Sequence, residues 1–139
     1  RCPICTLTAR AIGVSMEWLN RTLVSTPCHI GLVTTEGQFQ AQLRRMKVPK
    51  DQWPAFLPET SLADVKQFSA GGGMGIVLVC IRKDTKRTRV YTDGILVHEA
   101  THVWQKIRRY ISEFNPSDEF EAYSIESIFK GLAKAYYKK

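Results

Sequence analysis

The chain contains no long run of apolar residues. Its longest one covers only residues 76–81, whereas a helix that crosses a membrane needs roughly 20. No signal peptide is visible at the N-terminus as given, so we expect a cytoplasmic protein without a membrane partner. Apolar residues make up 44% and charged residues 24% of the 139 residues, close to the globular average. We therefore predict one globular domain over residues 1–139.

Cysteines are few, and their spacing is not typical of a complete site. Cys2 and Cys5 have the two-residue gap of a zinc knuckle or a redox pair, and Cys28 could contribute to a second metal site. A structural zinc site normally has a second such pair, and a redox pair normally begins a helix after a strand. Free thiols are therefore favoured, with a second metal site or a disulfide as alternatives. Cys80 lies in an apolar run and is expected to be a small core residue.

Acidic residues are also few. Lys and Arg outnumber Asp and Glu by 20 to 13, which gives a formal net charge of +7. Such an excess favours acidic partners such as nucleic acid. The densest basic stretches, residues 44–47, 82–89 and 134–139, are expected at turns and at the tail, where charge usually serves solvation. Nucleic-acid binding is therefore the less favoured interpretation.

Hydrophobic periodicity predicts a mixture of helices and strands. The clearest strand spans Gly75–Ile81, and residues 89–92 are predicted to pair with it as an antiparallel hairpin. One helix is predicted to begin near Ile95 and another to cover residues 119–134. The fold class is therefore α+β, with a small antiparallel or mixed sheet packed on these two helices. The remaining predictions are a strand at 29–35, helices at 8–23 and 38–46, a helical turn within 51–56, and a loop at 58–69 with a helical turn around 62–68.

The most informative segment is the apolar stretch that contains two histidines. His98 and His102 are four residues apart, and Glu99 directly follows the first. On a helix such positions share a face, so both imidazoles can bind one metal ion. This H-E-x-x-H arrangement is that of zinc hydrolases. Glu99 would lie about 100° around the helix from His98, beside the open side of the metal, where it can accept a proton from water.

A catalytic zinc ion usually has three protein ligands and a water molecule. The third histidine of the chain, His29, is distant in the sequence, so the third ligand is expected among the downstream carboxylates. Asn115, as cap, and Pro116 predict the start of a helix. The apolar stripe of that helix contains Glu121, whereas Glu119 lies about 110° from its centre. Helix periodicity alone therefore favours Glu121.

The five residues from Glu119 to Tyr123 resemble the E-x-x-A pattern of gluzincin-type zinc metalloproteases. Together with the histidine motif, they are also similar to small phage-encoded zincin-like proteins. The resemblance covers residues 94–128, with Tyr123 where many members have Asp or Asn. It implies a zincin-like domain with Zn²⁺ bound by His98, His102 and Glu119. Glu121 remains the alternative third ligand, and a phage protein of this kind would act in the cytoplasm of the bacterial host.

The resemblance also implies an activity, the hydrolysis of peptide bonds in a peptide or protein substrate. Glu99 would act as general base toward a water molecule that the zinc ion activates. A phenol, from Tyr123 or Tyr110, can stabilise the oxyanion that forms. Tyr123 is taken as the second catalytic residue, although a tyrosine on an amphipathic helix more often belongs to a core.

Two interpretations from other classes remain open. A zincin-like domain could keep its metal as a structural device and act as a binding or assembly module of a phage or its host, contacting nucleic acid through its basic surface. Glu99 argues against this, because a purely structural site needs no acid–base residue. Residues 9–15 resemble the turn of a helix-turn-helix around Gly13, but too few residues precede them for the supporting helices.

Overall fold

The computed structural model describes residues 26–69 and 71–138 and, before them, the backbone of Glu17–Trp18. It has a mixed α/β architecture, with one sheet and helices on both of its faces. The elements in chain order are β1 (Glu17–Trp18), β2 (Cys28–Val33), α1 (Glu36–Arg45), a 3-10 turn (Lys50–Gln52), β3 (Ala63–Phe68), β4 (Gly75–Ile81), α2 (Arg89–Tyr110) and α3 (Asp118–Tyr137).

The sheet is mixed, which confirms one of the two expected arrangements. Its strand order is β1-β2-β4-β3, so that β3 lies at one edge. β2 and β4 are parallel and pair Cys28 with Gly75, whereas β3 is antiparallel to β4 and pairs Ala63 with Ile81. Among the described residues, the outer backbone of β3 is therefore left without a neighbouring strand.

Side chains of β4 alternate between two cores, because successive residues of a strand point to opposite faces. Val77, Val79 and Ile81 pack on the face covered by α2 and α3. Leu78 and Cys80 pack on the opposite face, among residues of α1 and the segment that follows it. All five are fully buried, which explains why β4 appears in the sequence as an uninterrupted apolar run.

Several sequence predictions are confirmed. β4 has the predicted bounds, β2 and α1 overlap the predicted strand and helix, and α3 covers the predicted range 119–134. The 3-10 turn overlaps the helical turn predicted within 51–56. The helix predicted over 8–23 is wrong at Glu17–Trp18, which form a strand. Its other residues lie outside the described ones, as do the segment 9–15 and the pair Cys2 and Cys5.

The hairpin predicted for residues 89–92 is wrong, because these residues form the first turn of α2. Thr88 caps the helix, and its hydroxyl accepts a hydrogen bond from the backbone N–H of Tyr91 at 3.2 Å. Val90 is 83% exposed, so the β-branched and aromatic residues that indicated a strand here do not enter the sheet. α2 consequently begins at Arg89, not near Ile95.

The helical turn predicted around 62–68 is also wrong, because this segment is strand β3. Ala63 and Val65 pack toward α2 and α3, whereas Phe68 packs on the other face of the sheet. That alternation is present in the sequence, but Asp64 and Lys66 hold the intervening positions as an ion pair with a 2.6 Å separation. Strands with two partly buried polar residues are easily mistaken for loops.

The start of α3 differs slightly from its prediction. Ser117, not Asn115, is the N-cap, and its hydroxyl accepts a hydrogen bond from the backbone N–H of Phe120. α3 packs along α2, where the Trp104 and Phe120 rings meet edge to face with centroids 5.3 Å apart. In residues 26–69 and 71–138, no helix combines the length and apolarity needed to traverse a bilayer.

Cys28 and Cys80 are buried thiols, 1% and 0% exposed. Burial raises the pKa of Cys80 to about 12, so its reactive thiolate form is scarce at neutral pH. Both residues belong to the apolar cores, as predicted for Cys80.

Gly75 begins β4 in a conformation that only glycine adopts readily, with φ +70°. A methyl group at this position would also collide with the backbone carbonyl of Phe68. We expect Gly75→Ala to lower the free energy of unfolding by more than about 2 kcal/mol, measured by urea denaturation. Gly37→Ala is the matched control, because it lies in α1 with open space around its Cα and should raise stability by up to about 1 kcal/mol. Equal stability of the two variants would contradict the strand start described here.

Candidate metal centre

The two histidines of the motif converge on the exposed side of α2. The Nε2 atoms of His98 and His102 are 3.0 Å apart, and the two rings meet edge to face with centroids 4.6 Å apart. Both residues are exposed, whereas Leu96, Ala100 and Val103 on the opposite side of the helix are fully buried. The helix is thus held against the core by one face and presents the paired imidazoles on the other.

The separation of the two nitrogens is suited to a shared metal ion. Two nitrogens bound to one tetrahedral zinc at 2.0–2.1 Å would lie about 3.3 Å apart. At 3.0 Å, either an N–H of one ring donates to the other or a cation lies between the two lone pairs. The spacing of His98 and His102 is thus compatible with two ligands of one zinc ion.

Gln105 positions one of the imidazoles. The Nδ1 atom of His102 lies 3.1 Å from Gln105 Oε1. An amide oxygen accepts, so this contact is a hydrogen bond in the tautomer with the proton on Nδ1, and in that tautomer Nε2 presents its lone pair toward His98. Outer hydrogen bonds of this kind orient metal-binding histidines in general. Sequence reasoning missed Gln105, although its spacing of three residues from His102 on a helix was the available signal.

Glu99 has a different environment from its two histidine neighbours. It is 5% exposed and lines a cavity together with His98 and Ala63 of the edge strand. Burial raises the pKa of the Glu99 carboxyl above 4.5, the nearby His98 and His102 lower it, and Asp64 raises it further. The carboxyl is therefore a partly desolvated group beside the imidazole pair, in the environment expected of an acid–base residue.

The carboxylates predicted as third ligand lie on α3. Glu119 and Glu121 are about 160° apart around that helix. Glu121 faces α2, and its Oε1 accepts a hydrogen bond from Trp104 Nε1 at 2.9 Å, while Glu119 is exposed. Among residues 26–69 and 71–138, no set of three or more His, Cys, Asp or Glu residues is arranged to hold a metal ion. The histidine pair is thus formed without a third ligand beside it.

Among the described residues, neither candidate phenol makes a hydrogen bond or ring contact with the histidine motif. Tyr123 is 62% exposed on α3, and Tyr110 is 46% exposed at the end of α2. Tyr123 lies about 160° around α3 from Glu121, the residue that contacts α2. An oxyanion role for Tyr123 therefore stays a prediction from the resemblance.

Two cavities lie between α2 and the edge strand β3, one beside each histidine, and we call the two together the groove. A cavity of about 670 Å³ lies at the end where α2 begins, lined by Ala63, His98 and Glu99 among others. A second cavity, of about 260 Å³, lies farther along, lined by Val65 and His102 among others. The strand beside the motif is therefore β3, and not the hairpin strand predicted for residues 89–92.

Comparison with known proteins gives no relative. No family model, no curated protein and no solved structure matches the chain.

Proposed function

We propose that this protein is a zincin-like, metal-dependent peptidase. The observation that carries the proposal is the 3.0 Å approach of the His98 and His102 Nε2 atoms beside the buried carboxyl of Glu99. His98 and Glu99 line one cavity beside β3 and His102 lines the other, and no strand of the described residues pairs with the outer edge of β3. A pair of metal-binding nitrogens, an acid–base carboxyl and a place for an extended chain are the parts that peptide hydrolysis needs.

His98 and His102 would hold the ion, with one carboxylate as third ligand. A divalent ion bound there would lower the pKa of a water molecule and polarise a carbonyl group. Glu99 accepts the proton of the attacking water and later donates it to the leaving amine. Gln105 keeps the His102 ring in its tautomer through the contact at Nδ1.

The edge strand supplies the binding site for the substrate backbone. An extended peptide can add to β3 as a further strand, because no strand of the described residues pairs with its outer N–H and C=O groups. β3 contacts α2, so a peptide bound in this way would lie over the histidines. Backbone pairing gives affinity without restricting sequence, and neighbouring cavities then select side chains.

The third ligand is tested by metal content. Glu119→Gln and Glu121→Gln, each purified in excess zinc, should differ: the variant of the true ligand loses affinity by more than the roughly 10- to 100-fold effect of losing an outer-shell partner. The resemblance favours Glu119. If only Glu121→Gln loses zinc, Glu121 is the third ligand, and it gives up its hydrogen bond with Trp104 when it binds the metal. Full retention of zinc affinity in both variants would remove α3 from the site.

Two observations favour the alternative, a non-catalytic binding module. Within the described part of the chain, no carboxylate completes a metal group with the histidines, and the sequence carries a net charge of +7. Such a module would bind nucleic acid with a steep dependence on salt and would hydrolyse nothing.

Hydrolysis of an unfolded protein separates the two proposals. Zinc-loaded protein should cleave reduced, unfolded casein, and a chelator should stop the cleavage until zinc is restored. Salt-sensitive DNA binding without any cleavage would instead support the module.

A further inference from the structure

We propose that the groove selects peptides with a large apolar side chain on one side of the cleaved bond and an acidic side chain on the other. The inference rests on the proposed peptidase function and names its substrate class. It follows from the different chemistry of the two cavities that lie on either side of the histidine pair.

The end of the groove near the start of α2 is apolar. Its cavity of about 670 Å³ is lined by Leu62, Val90, Tyr91 and Ile95, next to His98 and Glu99. Three of these side chains are well exposed: Leu62 by 44%, Val90 by 83% and Tyr91 by 56%. Exposed apolar side chains that line a concave surface of this size are typical of a binding site. The cavity has ample room for the side chain of Phe or Leu.

The other end of the groove is basic. The cavity of about 260 Å³ is lined by Lys106 and Arg109, together with Asp64, His102 and Gln105. Asp64 is held by Lys66 at 2.6 Å, whereas neither Lys106 nor Arg109 has an ion-pair partner among the residues described. Two unpaired cations beside one neutralised carboxylate attract a negative charge.

The spacing of the two ends sets the register of the peptide. Along α2, Lys106 and Arg109 lie about 9 and about 13.5 Å beyond the midpoint of the two histidines, at a rise of about 1.5 Å per residue. An extended chain advances about 3.3 Å per residue. The acidic side chain is therefore expected within about four residues of the cleaved bond, and the apolar side chain within a similar distance on the opposite side.

A library of unfolded-protein peptides gives the first test. Wild-type protein loaded with zinc is incubated with the library, and the new termini are sequenced by mass spectrometry. Apolar residues should be enriched on one side of the cleaved bond and Asp or Glu on the other. Cleavage without such enrichment would overturn this inference and leave the peptidase proposal intact, whereas absence of any cleavage would count against the peptidase proposal.

Binding gives a readout that does not depend on turnover. The Glu99→Gln variant is titrated with four synthetic peptides that combine Phe or Gly at the apolar position with Glu or Gln at the acidic position. The library result determines these two positions; without a library result, peptides with both orders of the two positions are used. Replacing Phe by Gly should weaken binding about ten-fold or more. Replacing Glu by Gln should weaken it about two- to five-fold, and less at high salt.

Matched variants assign each preference to its cavity. Leu62→Asp should weaken binding of the Phe peptide until it binds no more tightly than the Gly peptide. Ile111→Asp is the control, since Ile111 is 45% exposed and lines neither cavity. Lys106→Glu with Arg109→Glu should reverse the charge preference. Arg45→Glu with Lys50→Glu changes the net charge equally, at exposed positions near α1. Equal effects of the groove variants and their controls would overturn the inference.

Discussion

Replacement of Glu99 by Gln should lower the rate of peptide hydrolysis by about 100- to 10,000-fold, the range expected when a general acid–base group is removed. The amide keeps the shape of the carboxyl group but accepts no proton. Zinc content and the free energy of unfolding should stay close to those of the unaltered protein, because Glu99 is not assigned as a ligand. The measurements are kcat on an unfolded protein substrate, zinc per chain, and urea denaturation.

Glu113→Gln provides the control for this experiment. It makes the same chemical change at a half-buried carboxylate in the turn between α2 and α3, and it should leave kcat unchanged. Unaltered turnover in Glu99→Gln would remove Glu99 from the mechanism. Loss of zinc together with activity would instead identify Glu99 as a ligand, in conflict with the role assigned to it.

Loss of either histidine should abolish tight zinc binding. His98→Ala and His102→Ala each remove one of two nitrogens that lie 3.0 Å apart, and a single imidazole does not retain zinc at the affinity of a catalytic site. A ligand present at 100 times its dissociation constant stabilises a folded protein by about 2.7 kcal/mol. The Tm of the unaltered protein should rise on zinc addition by the amount that corresponds to this stabilisation. Neither variant should show that rise.

His29→Ala is the matched control, because it removes the third histidine of the chain without touching α2. It should keep the stabilisation by zinc. If His98→Ala and His102→Ala retained the same stabilisation, the ion would have to be bound elsewhere. Loss of stabilisation in His29→Ala alone would place the metal beside β2.

The sequence predicted those parts of the fold in which one local signal dominates. β4 was predicted with its bounds because a buried central strand is apolar on both faces. β3 was missed because an edge strand is only half covered, and Asp64 and Lys66 satisfy each other at a partly buried ion pair. Residues 89–92 were assigned to a strand by composition, yet the cap at Thr88 and the lack of a sheet partner place them in α2.

The candidate site was predictable to the extent that it lies on one helix. The spacing of His98, Glu99 and His102 determines their relative positions once α2 forms, and the structure brings the two Nε2 atoms together. The groove depends on how α2 packs beside β3, which no local pattern contains. The contact between Trp104 and Glu121 is likewise a tertiary one: periodicity placed Glu121 on the apolar stripe of α3, but no local pattern identifies Trp104 as its partner.

The most direct test is the zinc content of the protein after purification with zinc in slight excess and removal of unbound metal. One equivalent per chain in the unaltered protein, and none after the joint replacement of His98 and His102 by Ala, is the expected result. If the unaltered protein is metal-free under these conditions, the central claim is contradicted, because the paired imidazoles of His98 and His102 then bind no ion.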